Sequence, residues 1–390
     1  MVTQGRAQMQ NSSHVAQDGG GVPARAQLEG LNSLRGLAAL LVVIVHVWGI
    51  NPLPDSFGTA FIKTYFPLGV ALFFVISAFS LCTSTLHRVG GDGWLSAFAI
   101  RRFMRIAPLF YVMALFYLIV VPLIVGGPFP WAHFFVTISF LFNMMPGLHA
   151  SLVWAGWTIG VEMMFYLVLP LILVFVAGLR GAVAVLLLTI VLSCAFIAHY
   201  QTPAYPPYYA DLSFMASLGI FGWGVFAYFL YERLKRSGQA AVIGMTMLLV
   251  SIGGGVFLVL TDGQFFHLPV TRSLLWAPVF AALVLSQCLH PTVFLTNRLM
   301  SHFGMLSFSL YLCHPPLVYF LHPVFRDIYD LVAVEKLAFL ACVALTMALL
   351  YPIARIAFVL VERPGIRTGE RIIKRRPFVD NVPITQTLSR

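Results

Sequence analysis

The chain has 390 residues, of which 59% are hydrophobic and only 10% charged, and its mean hydropathy is +0.88. A soluble domain carries roughly 25% charged residues, so soluble packing is excluded and most of the chain belongs in a bilayer. The net charge of +10 does not point to a nucleic-acid partner, because the basic residues flank apolar runs, as orientation signals do, and form no separate basic face.

Residues 1–30 are polar, rich in Gly, Gln and Ala, and lack an apolar core of the signal-peptide kind, which predicts a disordered cytoplasmic tail. Beyond them, runs long enough to cross a hydrocarbon core of about 30 Å recur. They fall at 34–50, 67–86, 105–125, 155–177, 181–198, 213–230, 240–260, 272–289, 304–324 and 336–361. The expected fold is all-α: a polytopic membrane helical bundle of about ten spans, with both termini cytoplasmic. Its membrane domain would cover 31–364, followed by a basic cytoplasmic tail over 365–390.

In the first span, Arg35 stands at the cytoplasmic entrance and His46 eleven residues on, about 16 Å deeper at 1.5 Å per residue. A neutral imidazole past mid-membrane can take a proton from a hydroxyl and pass it on. The spacing fits equally a histidine satisfied by a neighbouring carbonyl. Leading into the third span, Arg101 and Arg105 are four residues apart and share a helical face, which suits a phosphate-bearing ligand. Arg102 points elsewhere and reads as an anchor, and all three also fit a plain snorkelling role.

The run 131–143 is apolar but short, bounded by Pro130 and Pro146. If it is re-entrant or interfacial, only Lys63, Arg272, Arg326 and Lys336 of the 24 basic residues fall outside, which satisfies the positive-inside rule. A crossing there would put Arg180, Arg298 and the 233–236 cluster outside.

Glu162, in WTIGVEMMFYLVLP, reads as the one acidic residue well inside a span, at a depth comparable with His46. A carboxylate there can orient an imidazole or bind hydroxyls, or stay protonated as a structural donor. The loop 199–211, HYQTPAYPPYYAD, suits a structured rim or a simple aromatic anchor. In the ninth span, LSFSLYLCHPP sets Ser307, Ser309, Tyr311 and His314 near mid-membrane, with Pro315 and Pro316 expected to disrupt the helix just beyond. The five cysteines, Cys82, Cys194, Cys288, Cys313 and Cys342, lie in or beside apolar runs without metal-ligand spacing and read as packing residues.

Several of these segments together resemble acyltransferase family 3. LNSLRGLAALLVVIVH is similar to that family's opening arginine–histidine signature, and FPLGVALFFVISAF to its second-span segment, with Ala78 where glycine is usual. RRFMRIAPLFY resembles its arginine motif, WTIGVEMMFYLVLP its tryptophan-to-glutamate segment, LSFSLYLCHPPL its serine–tyrosine–histidine segment, and VERP its closing motif. The resemblance runs over residues 31–364.

It implies a multi-pass inner-membrane enzyme that transfers an acyl group, commonly acetyl, from acyl-coenzyme A to a hydroxyl of a carbohydrate such as an exopolysaccharide or lipopolysaccharide unit. No cofactor would be bound permanently; acyl-coenzyme A is a co-substrate, and other polysaccharide-assembly proteins are candidate partners. On that reading His46 and Glu162 are the catalytic candidates, and Arg35, Arg101 and Arg105 the binders of coenzyme A phosphates. Ser309, Tyr311 and His314 would bind the acceptor or support His46. The rival from another class is a transporter or flippase for a polysaccharide precursor, which would show paired broken helices in its two halves; a silent sensor that keeps the fold is a third.

Overall fold

The computed structural model describes residues 24–50, 57–262, 264 and 268–375. Every element among them is helical. The chain runs through α1 (Ala24–Ile50), α2 (Phe57–Tyr65), α3 (Gly69–Thr85), α4 (Trp94–Val125), α5 (Trp131–Ile138), α6 (Trp157–Phe175), α7 (Gly178–Tyr200) and α8 (Tyr209–Leu212). It continues through α9 (Phe214–Leu234), α10 (Ala240–Leu260), α11 (Arg272–Leu289), α12 (Arg298–Met305), α13 (Ser307–Leu331), α14 (Glu335–Ala357) and α15 (Arg363–Lys374). Among the described residues nine helices are long and apolar enough to cross a membrane, and ten if α12 and α13, bent by 74°, count as one broken span. The result is a multi-pass membrane bundle, because a helix satisfies its own backbone where no water can.

The expected spans all lie on these helices, with three differences. α1 begins at Ala24, so residues 24–30 are helix; residues 1–23 of the expected tail lie outside the described residues. The proline pair does not break the ninth span: α13 runs unbroken through Pro315, Pro316 and Pro323, and the bend lies ahead of it, at Leu306. Neighbouring helices hold a bilayer helix together across a proline that would end one in water. At the other end, the last membrane helix does not stop at 361 but passes through a single π-turn, Phe358–Glu362, into α15. Residues 376–390 lie outside the described residues.

Segment 131–143 is no crossing. It forms the eight-residue α5 and a short 3-10 turn, Leu141–Met144, and eight residues span only about 12 Å. Its use is as a brace. Thr137 Oγ1 accepts the Leu152 N–H at 3.0 Å, and Asn143 donates to the Leu212 carbonyl at 2.9 Å while accepting the Phe214 N–H at 2.6 Å. The aromatic loop 199–211 rests on the same segment, with Tyr209 donating to the Met144 carbonyl at 3.2 Å and its ring 5.3 Å from His149.

α9 is the most enclosed span, and small residues let its neighbours close on it. A Cβ on Gly224 would run into the Val75 carbonyl oxygen of α3. α1 sits between two apolar clusters: Leu34, Ala38 and Val42 join the larger, built mainly from α3, α4, α6, α9 and α11, while Val43 and Val47 pack with α13 and α14. α12 lies flush against the start of α1, where a Cβ on Gly304 would run into the Asn32 carbonyl oxygen. Backbone cannot yield as a side-chain tip can, so Gly304→Ala is expected to cost about 1–3 kcal/mol, read as a lowered midpoint of thermal unfolding in detergent.

Candidate functional site

Eleven residues are close to three helical turns, so Arg35 and His46 lie on one side of α1 at different depths. Arg35 is held by its own helix and by α3: it donates to Asn32 Oδ1 at 3.1 Å and to Ser80 Oγ at 2.8 Å. It opens onto a cavity of about 100 Å³ walled by α1, α3, α4, α6 and α13. Along α3 the lining extends from Leu81 to Val70, about 16 Å by the helical rise.

One end of the cavity is cationic, with Arg35, Arg102 and Arg105. Glu162 lies on its wall, where Oε1 accepts from Ser77 Oγ at 2.6 Å and from Tyr166 Oη at 2.7 Å. That oxygen is thus taken by Ser77 and Tyr166, while the hydrogen bond to His46 is made by the Val42 carbonyl. The other end is closed by Phe73, Thr158 and Tyr311. There Thr158 Oγ1 donates to Tyr311 Oη at 2.9 Å, and Tyr311 Oη donates to the Ala155 carbonyl at 3.0 Å. Ala155 and Ser151 hold φ of 62° and 74°, a left-handed conformation that costs a residue with a Cβ about 1 kcal/mol or more and persists only where the surroundings impose it.

Behind Tyr311 the two histidines meet. The Tyr311 ring is 5.6 Å from His314, and His314 is 4.7 Å edge-on to His46. Trp154, carried by the strained turn, lies 5.8 Å from His46 on another side. His46 Nδ1 is 2.8 Å from the Val42 carbonyl. A carbonyl only accepts, so this contact places the proton of the neutral ring on Nδ1 and leaves the Nε2 lone pair for another partner. His314 is fully buried, and among the described residues its ring nitrogens make no well-formed hydrogen bond, only looser contacts to the Leu310 and Tyr311 backbone, a costly state for an imidazole that nothing is to contact.

The arginine motif divides differently from its spacing. Arg101 and Arg105 do share a face, but that face abuts the chain from the π-turn into α15. Arg101 Nε pairs with Glu370 at 2.9 Å and lines a minor groove with Arg88, Trp94 and Arg102; of these only Arg102 also lines the cavity. Arg102, set aside as an anchor, is on the cavity wall instead. Of the serines, Ser307 lines the cavity, whereas Ser309 turns away and donates to Glu362 Oε2 at 2.8 Å. Glu362 is the residue that sequence reading missed: it is fully buried, 4.0 Å from Arg105, and stands in the VERP segment just past the expected end of the span.

Residues 28–355 match the model of the acyltransferase domain family. A protein of Acidianus two-tailed virus, named as a candidate acetyltransferase, is 27% identical over 292 residues, covering 72% of this chain and 80% of its own. No solved structure matches the chain significantly.

Proposed function

The chain belongs to the acyltransferase 3 family, and on that premise we propose that it moves an acyl group, acetyl in the first instance, from cytoplasmic acyl-coenzyme A to a hydroxyl of a carbohydrate. The observation that carries this reading is the cavity: three arginines at one end, and at the other a tyrosine gate backed by the His46–His314 pair. Guanidinium forks bind phosphate oxygens bidentately, so Arg35, Arg102 and Arg105 take the coenzyme A phosphates. The pantetheine arm lies along the polar wall of Ser77, Ser80 and Glu162. Tyr311 turns aside to admit the thioester to His46.

There the Nε2 lone pair of His46 accepts the acceptor's hydroxyl proton as the oxygen bonds to the thioester carbonyl carbon. An N–H of His314 stabilises the oxyanion; the carbon–sulfur bond then breaks, and the proton passes from His46 to the departing thiolate. The acetyl group is favoured by the name of the viral relative, and a surface carbohydrate such as an exopolysaccharide or lipopolysaccharide unit by the family resemblance. The same reading keeps both termini cytoplasmic in an inner membrane, with the acceptor met from the far side. The transporter reading has no such use for a cationic cavity that leads to a histidine pair.

The test is thiol release from acetyl-coenzyme A by the protein in lipid vesicles, with and without a panel of acceptor glycans. Release that depends on one of the glycans and yields its O-acetyl ester is the expected result. Uptake of a glycan across the vesicle membrane without ester formation would instead support the transporter.

A further inference from the structure

Glu362 occupies the last residue of the π-turn in the final membrane helix. A π-turn holds an extra residue, rotates the facing of the residues beyond it, and recurs at functional sites. Here it brings a charged group inward: the carboxylate is fully buried, while Arg363 and Pro364 beside it are exposed. A carboxylate out of contact with water is costly unless donors and a cation compensate it.

Its compensation is uneven. Oε2 accepts the Ser309 hydroxyl at 2.8 Å, whereas among the described residues Oε1 has no hydrogen-bond partner and faces Arg105 Nη2 at 4.0 Å. Arg105 is in turn part of the cavity wall, and its side chain is 38% exposed. A guanidinium carries five N–H donors, more than one carboxylate oxygen uses. One edge of Arg105 is thus held by a buried charge while the group still borders the cavity.

We propose that Glu362 is a positioning residue, which fixes the Arg105 guanidinium on the cavity wall so that it meets a phosphate of the donor already oriented. Long side chains lose rotamer freedom on binding, and a carboxylate behind the guanidinium removes that cost beforehand, as carboxylates behind metal-bound histidines do. The inference rests on the acyl-coenzyme A reading above. The competing account is a brace, in which the Ser309–Glu362 bond only ties α13 to the last membrane helix.

The experiment is equilibrium binding of coenzyme A, and of pantetheine, which has the same arm without phosphates, to the full chain in lipid vesicles. The proteins compared are wild type, Glu362→Gln, Glu362→Asp, Arg105→Ala and the Glu362→Gln, Arg105→Ala double variant. Glu362→Gln keeps the shape and the Ser309 bond but removes the charge. It is expected to weaken coenzyme A binding about tenfold, some 1.4 kcal/mol, to leave pantetheine within about twofold, and to add nothing once Arg105 is gone. Glu362→Asp keeps the charge and recovers most of the affinity, which also serves if the glutamine variant folds poorly.

Equal losses for coenzyme A and pantetheine, or the same loss with and without Arg105, would establish the brace and overturn the proposal; the double variant decides alone if pantetheine binds too weakly to measure. Unchanged coenzyme A affinity in a folded Glu362→Gln protein overturns it too. Absence of saturable coenzyme A binding by wild type is a different result, which removes the donor reading and this inference with it.

Discussion

His46→Ala is expected to lower acceptor-dependent thiol release from acetyl-coenzyme A by about 10²–10⁴-fold, the usual contribution of a positioned general base, with donor affinity within about threefold of wild type. The separation comes from the geometry. His46 lies behind Tyr311, outside the lining of the arginine cavity, and its Nδ1 is committed to the Val42 carbonyl. Removing the ring therefore deletes the proposed proton acceptor and leaves the arginine end of the cavity untouched. Folded His46→Ala protein with full turnover would remove His46 from the chemistry.

The opposite pattern is expected at the other end of the cavity. Replacing Arg102 and Arg105 together by alanine is expected to weaken acetyl-coenzyme A binding about 10²–10⁴-fold, because a hydrogen bond to a charged group contributes about 1.5–3 kcal/mol and two residues are lost. Turnover at saturating donor should fall much less, since uniform binding is what is lost. Arg101→Ala is the internal contrast: its side chain is paired with Glu370 off the cavity, and its loss should change donor affinity by less than about threefold. Radiolabelled acetyl-coenzyme A binding reads all of these, and a larger loss from Arg101→Ala than from the double variant would reverse the division of the motif.

The bundle was legible in the sequence because a bilayer imposes a length on every span and tolerates little charge within it. The same scarcity of polar groups made Arg35, His46, Glu162 and the residues Ser307, Ser309, Tyr311 and His314 stand out. What could not be read is which way a face points. Spacing put Arg101 with Arg105 and set Arg102 apart; only the packing of the last helix against α4, where a Cβ on Gly365 would lie 2.6 Å from the Met104 carbonyl oxygen, shows that this face meets that helix, which pairs with Arg101 and leaves Arg105 at the cavity edge.

Glu362 stayed hidden for a related reason. It ends an apolar run beside Arg363 and reads as a juxtamembrane charge, while its burial depends on a π-turn that leaves no mark in hydropathy. Pro315 and Pro316 misled in the other direction, since local propensity predicts a break and the surrounding bundle overrides it. Glu162 stood out as an acid inside a span, and the structure leaves it half-buried on the cavity wall, yet its partners, Ser77 and Tyr166, come from a distant helix and its own next turn. Depth in the membrane does not specify a neighbour.

The most direct measurement is equilibrium binding of radiolabelled acetyl-coenzyme A to the wild-type protein in lipid vesicles. The arginine-lined cavity predicts saturable binding between about 1 μM and 1 mM, the range of working substrate affinities, displaced by unlabelled coenzyme A and much less by pantetheine. No saturable binding up to about 1 mM would contradict the assignment of the cavity to an acyl-coenzyme A donor.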